Sequence, residues 1–271
     1  MTIDEALAQA RQHHAAGEFK QCRALCNAVL AAVPRHPEAI RLFQDLPEDA
    51  TYDAGFYEAQ MANSYRSALA VLWHLFDAYA PLSLVDFGAG RGTWLKAARE
   101  LGVPRLRGIE GPWVRADVAA SGLEYAFQDL NERVVLDERF DLALSVEVAE
   151  HLVPERAPSF VEDMCAAADL IVFGAAMPHQ GGNGHFNERF QSYWIDLFRA
   201  RGYACVDYFR AALWFRPEVE PWYAQNTFLF IREGDVRQPL FRPQPLYDVY
   251  HPTLVNDAVR QRFQLGWGEE R

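Results

Sequence analysis

An α/β fold built on an open, mostly parallel sheet is the class this sequence predicts, and three observations predict it. Residues 84 to 92 read Leu-Val-Asp-Phe-Gly-Ala-Gly-Arg-Gly, a short apolar strand running into three glycines at alternate positions. A second apolar strand, Leu106 to Ile109, ends in Glu110, eighteen positions after Gly92. Further short apolar runs then alternate with helix-spaced segments, which is the order of βαβ units. Gly88, Gly90 and Gly92 carry no Cβ, so the backbone turns sharply there and a ligand can lie against it. A helix starting near Thr93 and Trp94 offers it free N–H groups. A lone Gly-x-Gly-x-Gly is equally compatible with a plain tight turn. The acid at the end of the next strand suits a carboxylate gripping two ribose hydroxyls.

With these residues in view, the chain resembles the class I S-adenosylmethionine-dependent methyltransferases. The glycine spacing differs from the Gly-x-Gly-x-x-Gly of dinucleotide enzymes, and Asp86 stands where that family has the acid of its first motif. The resemblance covers about residues 52 to 232 and implies a Rossmann-like seven-stranded, mostly parallel sheet flanked by helices. It implies that Asp86, Gly88, Ala89, Gly90 and Gly92 bind S-adenosylmethionine, with Glu110 on the ribose. Asp129 and Leu130, after a third strand at Tyr125 to Phe127, match the segment that contacts adenine. Phe140 to Ser145 matches the fourth strand, with Val146 at the end that faces the methyl group. The nicotinamide-dependent oxidoreductases, which share the fold class, are disfavoured by this glycine spacing and by the lack of a Tyr-x-x-x-Lys pair near the fourth strand.

The 271 residues, half of them hydrophobic, suffice for one sizeable α/β domain plus a small module. A formal net charge of −11 argues against a general binder of phosphate backbones, so bulk nucleic acid is not the expected partner. No apolar run reaches the length of about 18 residues that spans a bilayer, and the start Met-Thr-Ile-Asp-Glu lacks the basic residues of a secretory signal. A cytoplasmic protein that meets no membrane is the expectation. Cys22, Cys26, Cys165 and Cys205 show no Cys-x-x-Cys spacing and read as reduced, buried thiols.

Three parts follow from the pattern. Residues 1 to 46 carry small and apolar residues at helical spacing, with Gly17-Glu18-Phe19 between two helices, Pro34 closing the second and a third helix from Pro37 to Phe43. Gly17, Phe19, Cys22, Ala28 and Pro34 resemble a single tetratricopeptide helix pair. Such a repeat buries its apolar face on neighbours, so this module is expected to pack on the main domain or to make a homo-oligomer or partner contact. A plain amphipathic extension is the alternative. Leu46 to Asp53 reads as a linker, and a helix from Phe56 to Tyr79 precedes the glycine strand. Tyr57, Gln60, Tyr65 and Arg66 on that helix either line the site or serve the core. A fifth strand at Leu170 to Gly174, a helix at Ser192 to Arg201 and strands at Ala204 to Phe209 and Thr227 to Arg232 complete the domain of residues 52 to 232. Trp214, Phe215, Pro217, Pro221, Trp222 and Tyr223 form an insertion that is either a substrate wall or packing. The extension 233 to 271, with Pro239, Pro243, Pro245 and Pro252, is expected to wrap the domain.

Chemistry is expected at Glu147, Glu150 and His151, just past the fourth strand. In a helix starting there, offsets of three and four place all three on one face, and His185 in the next strand-end loop can join them. An aliphatic hydroxyl needs a base or a cation to react near pH 7. The pattern Glu-x-x-Glu-His with a distant His resembles the divalent-metal site of methyltransferases that modify the terminal ribose of small RNAs or catechol-like quinone precursors. The resemblance implies an ion held by Glu147, Glu150, His151 and His185, with two adjacent substrate oxygens on it. Such a donor set suits Mg²⁺, Mn²⁺, Fe²⁺ or Zn²⁺. Without a metal, His151 or His185 is the base with Glu150 orienting it, and a purely structural role is the third reading. His179 reads as a loop residue.

Residues 185 to 194 resemble methyltransferases found among glycan and secondary-metabolite enzymes. A sugar, nucleotide-sugar or natural product is therefore the expected acceptor, with RNA ribose, a catechol or an amine as alternatives. Asn187, Glu188 and Arg189 either hold such an acceptor or anchor their loop. A non-catalytic, ligand-binding interaction protein is the remaining reading.

Overall fold

The structure is a computed structural model and describes residues 1–33, 36–46, 54–180, 182–241 and 246–254, without the side chains of residues 31, 44 and 54–61. Pro34, Pro47, Asp53, the side chains of Tyr57 and Gln60, and Pro243 and Pro245 lie outside the described residues. Helices α1 (Ile3–Ala15), α2 (Phe19–Ala32) and α3 (Pro37–Gln44) come first, followed by the long α4 (Ala54–Ala78). The sheet then alternates with helices: β1 (Ser83–Phe87), α5 (Thr93–Glu100), β2 (Arg105–Glu110), α6 (Arg115–Val118), β3 (Glu124–Phe127), β4 (Leu142–Val146), α7 (Ala157–Ala167), β5 (Leu170–Gly174), α8 (Gln191–Arg199), β6 (Tyr203–Val206), α9 (Arg210–Leu213), α10 (Pro221–Asn226) and β7 (Phe228–Arg232). No helix among the described residues is long and apolar enough to cross a membrane.

The seven strands lie in the order β3-β2-β1-β4-β5-β7-β6. All pairings are parallel except those of β7, which runs antiparallel to both β5 and β6. β1, β4 and β5 are buried along their whole length, because helices cover both faces of a parallel sheet. Leu84, Leu144 and Val172 join one core with α4 and α5, while Val85, Ala143 and Ile171 join another with α7 and α8. From β1 the chain crosses to β2 on one side, and β4 lies on the other. This reversal opens a crevice past the carboxyl ends of β1 and β4, where ligands of such sheets bind.

Some boundaries differ from the expected ones. β4 starts at Leu142, because Phe140 makes only an isolated bridge with Ala168. β6 stops at Val206, and the chain then turns into α9. α7 is an addition, with Pro158 in its first turn, where no N–H is needed. Of the bulky insertion, Pro221, Trp222 and Tyr223 lie in α10; Tyr223 packs edge-on against Trp94, while Phe215 stays exposed. Tyr65 packs on the first core with its hydroxyl donating to Glu100, and Arg66 donates to Asn63 on its own helix. The four cysteines are free and buried.

α7 also carries a buried ion pair that fastens the loop after β3. Asp163 and Arg156 are both nearly fully buried and hydrogen-bonded to each other. Arg133 Nε and the Val134 N–H also donate to Asp163, at 2.7 and 2.8 Å, while Arg156 donates to the carbonyls of Leu130 and Glu132. Asp163→Ala is expected to lower stability by about 3–5 kcal/mol, the usual cost of leaving a buried cation unpaired. Urea unfolding that finds no loss would contradict this role.

Asp86 of β1 is 3% exposed, and burial, with the nearby Glu110 charge, pushes its carboxyl up to about 8. The folded chain therefore holds this proton more tightly than the unfolded chain, whose aspartate titrates near about 3.9. The stability it contributes is complete below that value and is lost as pH rises through about 8. Asp86→Asn should flatten the fall in unfolding free energy across that window, and an unchanged slope would exclude Asp86 as its source.

Candidate functional site

The glycine turn is tied to β2, since Gly88 and Ala89 both donate their N–H groups to the Ile109 carbonyl, at 2.9 and 3.2 Å. Gly88 has φ 89°, and a Cβ there would meet Val148 Cγ2 at 2.4 Å, so the loop after β4 lies directly against the turn. A Cβ on Gly90 would meet nothing within 4 Å; this side of the turn is open. Glu110 is fixed at the end of β2 by two N–H groups, Gly90 on Oε2 and Gly111 on Oε1, both at 2.8 Å. Each of its oxygens keeps a further lone pair for a ligand hydroxyl. Burial pushes the Glu110 carboxyl up, and the two N–H groups oppose that. Tyr125 donates its hydroxyl to the Gly90 carbonyl at 3.1 Å.

Asp86, Gly88, Ala89, Gly90, Gly92 and Glu110 thus surround one turn, with α5 starting immediately after it. Val146 is the last, buried residue of β4. Leu130 is buried and its carbonyl is taken by Arg156. Asp129 is exposed, and its Oδ1 accepts from Asn131 at 2.9 Å.

Past β4 the chain does not form the expected α-helix. Glu147 has φ 56°, a conformation that costs a non-glycine residue of order 1–3 kcal/mol, and only a short 3-10 turn follows at Ala149–His151. Helical offsets therefore do not set the side-chain directions. Glu147 points to two amides, accepting from Gln180 Nε2 at 2.8 Å and Asn226 Nδ2 at 2.9 Å. Burial raises its pKa and those two donors lower it in part. Glu150 is fully buried, and neither carboxylate oxygen has a well-formed hydrogen bond among the described residues, although the N–H groups of Glu150 and Ala176 lie near. Burial and then the charge of Glu147 push its pKa well above the usual carboxylate range.

His151 and His185 face each other edge to face, with ring centroids 4.8 Å apart. His151 Nδ1 lies 3.1 Å from the Gly184 carbonyl. A carbonyl only accepts, so Nδ1 carries the proton and Nε2 presents a lone pair. His185 Nδ1 lies 3.0 Å from Glu188 Oε1, so in the neutral ring the proton sits on Nδ1 there too. The protein packed around the ring, then His185, pushes the His151 pKa down, and solvent exposure of the residue weakens that push. One ligand atom each from Glu150, His151 and His185 lies within 4.8 Å of the others. That is wider than the roughly 3.4 Å expected between ligands of a tetrahedral ion with bonds of about 2.1 Å, so a bound ion requires a small contraction. Glu147 stands outside this trio.

The loop residues are largely committed to structure. Asn187 is fully buried and donates to the Ala149 carbonyl, Arg189 donates to Asn187, and Glu188 accepts from His185 and from the His179 N–H. Gln180, Gln225 and Asn226 were not singled out in the sequence, and nothing local marks them. Gln225 donates to Gln180 and to Asn226 while its oxygen accepts from the His251 N–H, so the C-terminal extension reaches the amides around Glu147. Trp113, about half exposed, lies over Gly111 beside Glu110; an aromatic three residues after the acid is the signal that marks it.

No family model matches the chain. Two curated relatives share a stretch of it: a ubiquinone biosynthesis O-methyltransferase of Methylobacterium nodulans, 35% identical over 92 residues, and one of a second Methylobacterium strain, 34% identical over 94 residues. The stretch covers 32% of this chain and only about a third of each relative, 36% and 37%. Among solved structures, the magnesium protoporphyrin IX methyltransferase of Synechocystis with bound SAH superposes with a TM-score of 0.50 at 13% identity, over 67% of this chain and 89% of that one. The SAM-bound amino pentose methyltransferase of Micromonospora echinaspora does so with a TM-score of 0.50 at 15% identity, over 67% and 98%. These likenesses and the strand order together show that the chain has the seven-stranded, Rossmann-like fold of the methyltransferases.

Proposed function

We propose that the protein is an S-adenosylmethionine-dependent O-methyltransferase that acts on a small hydroxylated acceptor, with a divalent ion held by Glu150, His151 and His185. One observation carries the metal reading. Two imidazoles have their Nδ1 protons committed to acceptors and their Nε2 lone pairs free, and a fully buried carboxylate without good hydrogen bonds stands beside them. Metal-binding histidines are oriented in this way by carbonyl and carboxylate partners. A buried carboxylate is otherwise costly, and a cation would offset that cost.

Asp86, Glu110 and the open side of Gly90 support the cofactor reading, because they offer acceptors and free space past the sheet's carboxyl edge. When bound, S-adenosylmethionine supplies a methyl already activated on a sulfonium. What remains for the chain is to align an acceptor oxygen behind that carbon, exclude water and take up the hydroxyl proton. A cation on Glu150 and the two histidines would lower the pKa of the acceptor hydroxyl; two neighbouring oxygens on the acceptor fit such a clamp. A sugar, nucleotide-sugar or natural product with vicinal hydroxyls, or a catechol, has this chemistry.

Metal-free base catalysis is the second reading, favoured by the free Nε2 atoms. The lowered pKa of His151 weakens it as a base near neutral pH and suits it as a neutral ligand, so in this reading the base is His185.

Two outcomes test the reading. Glu110→Ala is expected to weaken S-adenosylmethionine binding by about 1.5–3 kcal/mol for each charge-assisted hydrogen bond lost, as read by calorimetry; an unchanged affinity would remove Glu110 from the cofactor site. Chelation should abolish methyl transfer while leaving cofactor binding intact, and Glu150→Gln should raise the metal concentration that restores turnover. Full turnover after exhaustive chelation would leave the base reading, in which loss of His185 costs about 10²- to 10⁴-fold in rate.

A further inference from the structure

The loop that orients both imidazoles is itself held from outside, by the N-terminal helices. Phe186, one residue after His185, is 5% exposed and belongs to the core of α1–α3 with Ala6, Leu7, Val29, Leu30, Ala39 and Ile40. Phe43 of α3 meets Phe186 edge to face at 5.3 Å, and the Arg23 guanidinium of α2 covers the Phe43 ring at 4.9 Å. Asn27 of α2 donates Nδ2 to Asn183 Oδ1 at 2.8 Å. Gly184 lies so close to α3 that a Cβ on it would meet Phe43 Cε1 at 2.7 Å. The carbonyl of this same Gly184 fixes the His151 tautomer.

We propose that the α1–α3 module is a positioning element of the methyl-transfer site: Phe43 and Asn27 hold the loop 183–188 so that Gly184 and Glu188 fix the Nδ1 edges of both imidazoles and keep the rings beside Glu150. The apolar face of the module is filled by Phe186 of the domain it serves. Phe43 and Asn27 touch no reacting atom; Phe43 acts through Gly184 and Phe186, and Asn27 through Asn183. This rests on the proposed role of the histidine pair, yet its first consequence, the His151 tautomer, is independent of any metal.

The test uses full-length protein with three single substitutions, Phe43→Ala, Phe43→Leu and Asn27→Ala, and three readouts. Long-range ¹⁵N NMR of the imidazoles should show His151 in one neutral form, protonated on Nδ1, in the unmodified protein. Phe43→Ala should give a mixture of tautomers, and Phe43→Leu, which refills most of the space, should restore much of the single form. Co²⁺ affinity, read by visible absorption, should fall about 10- to 100-fold in Phe43→Ala, the usual effect of removing a group that orients metal ligands. The affinity for S-adenosylhomocysteine should stay within about twofold, because the contacts that hold the glycine turn among the described residues come from β2, β3 and the loop after β4, and ordinary binding linkage would reveal a lost contact. If Phe43→Ala does not fold, Asn27→Ala carries the same tautomer test, since it deletes one hydrogen bond and leaves the apolar core intact. A folded variant with an unchanged His151 tautomer would overturn the proposal. Failure of the unmodified protein to bind Co²⁺ would instead count against the metal reading alone, with the tautomer result still deciding the role of the module.

Discussion

Phe186 and Asn187 donate their backbone N–H groups to the carbonyl of Glu150, at 2.8 and 2.9 Å, and this stitch joins two loops that are distant in the chain. The Asn187 side chain adds a third bond, to the Ala149 carbonyl. Each bond contributes only about 0.5–1.5 kcal/mol net, but all are shielded from water, and losing one leaves a buried group unsatisfied. Through them the turn after β4 and the loop after β5 form one surface. His151 comes from the first and His185 from the second. Parallel strands make this meeting possible, because adjacent strands β4 and β5 deliver both loops to the same edge of the sheet.

Two carboxylates lie inside this surface, Glu147 and Glu150. Glu147 is offset by Gln180 and Asn226, and its left-handed backbone is held by its own N–H donating to the Gly174 carbonyl at 2.9 Å. Glu150 has no such amide cage. Burial without compensation favours its protonated form in the free protein, whereas a cation beside it would favour the ionised form. The two acids, three positions apart, therefore play unlike parts: Glu147 shapes the backbone, and Glu150 is left with capacity for a ligand.

Much of the architecture was legible because its signals are local. β5 was readable to the residue, since Leu170 to Gly174 is a short apolar run, and β1 and β2 were marked by the glycines and by Glu110. α7 was not, because Asp163 interrupts its apolar pattern and is accounted for only by Arg156 and Arg133 around it. At the site, motif spacing drew attention to Glu147, Glu150, His151 and His185, but the geometry assumed for them was helical. The left-handed Glu147 breaks that premise, and its carboxylate is taken by Gln180 and Asn226 although it lies beside Glu150. Gln180, Gln225 and Asn226 had no sequence signal, because their roles arise only when β5 and β7 pair and bring the ends of distant segments together. Phe43 and Phe186 belong to the same class: each looks like an ordinary core aromatic, and only their contact across two parts of the chain gives them meaning.

The most direct measurement is a crystal structure of the protein grown with Mn²⁺ and S-adenosylhomocysteine, with anomalous data collected for the metal. The chemistry argued for here predicts one strong anomalous peak bonded to Glu150, His151 Nε2 and His185 Nε2, beside a nucleoside whose ribose hydroxyls lie on Glu110. A nucleoside in place with no metal density among those three side chains would contradict it.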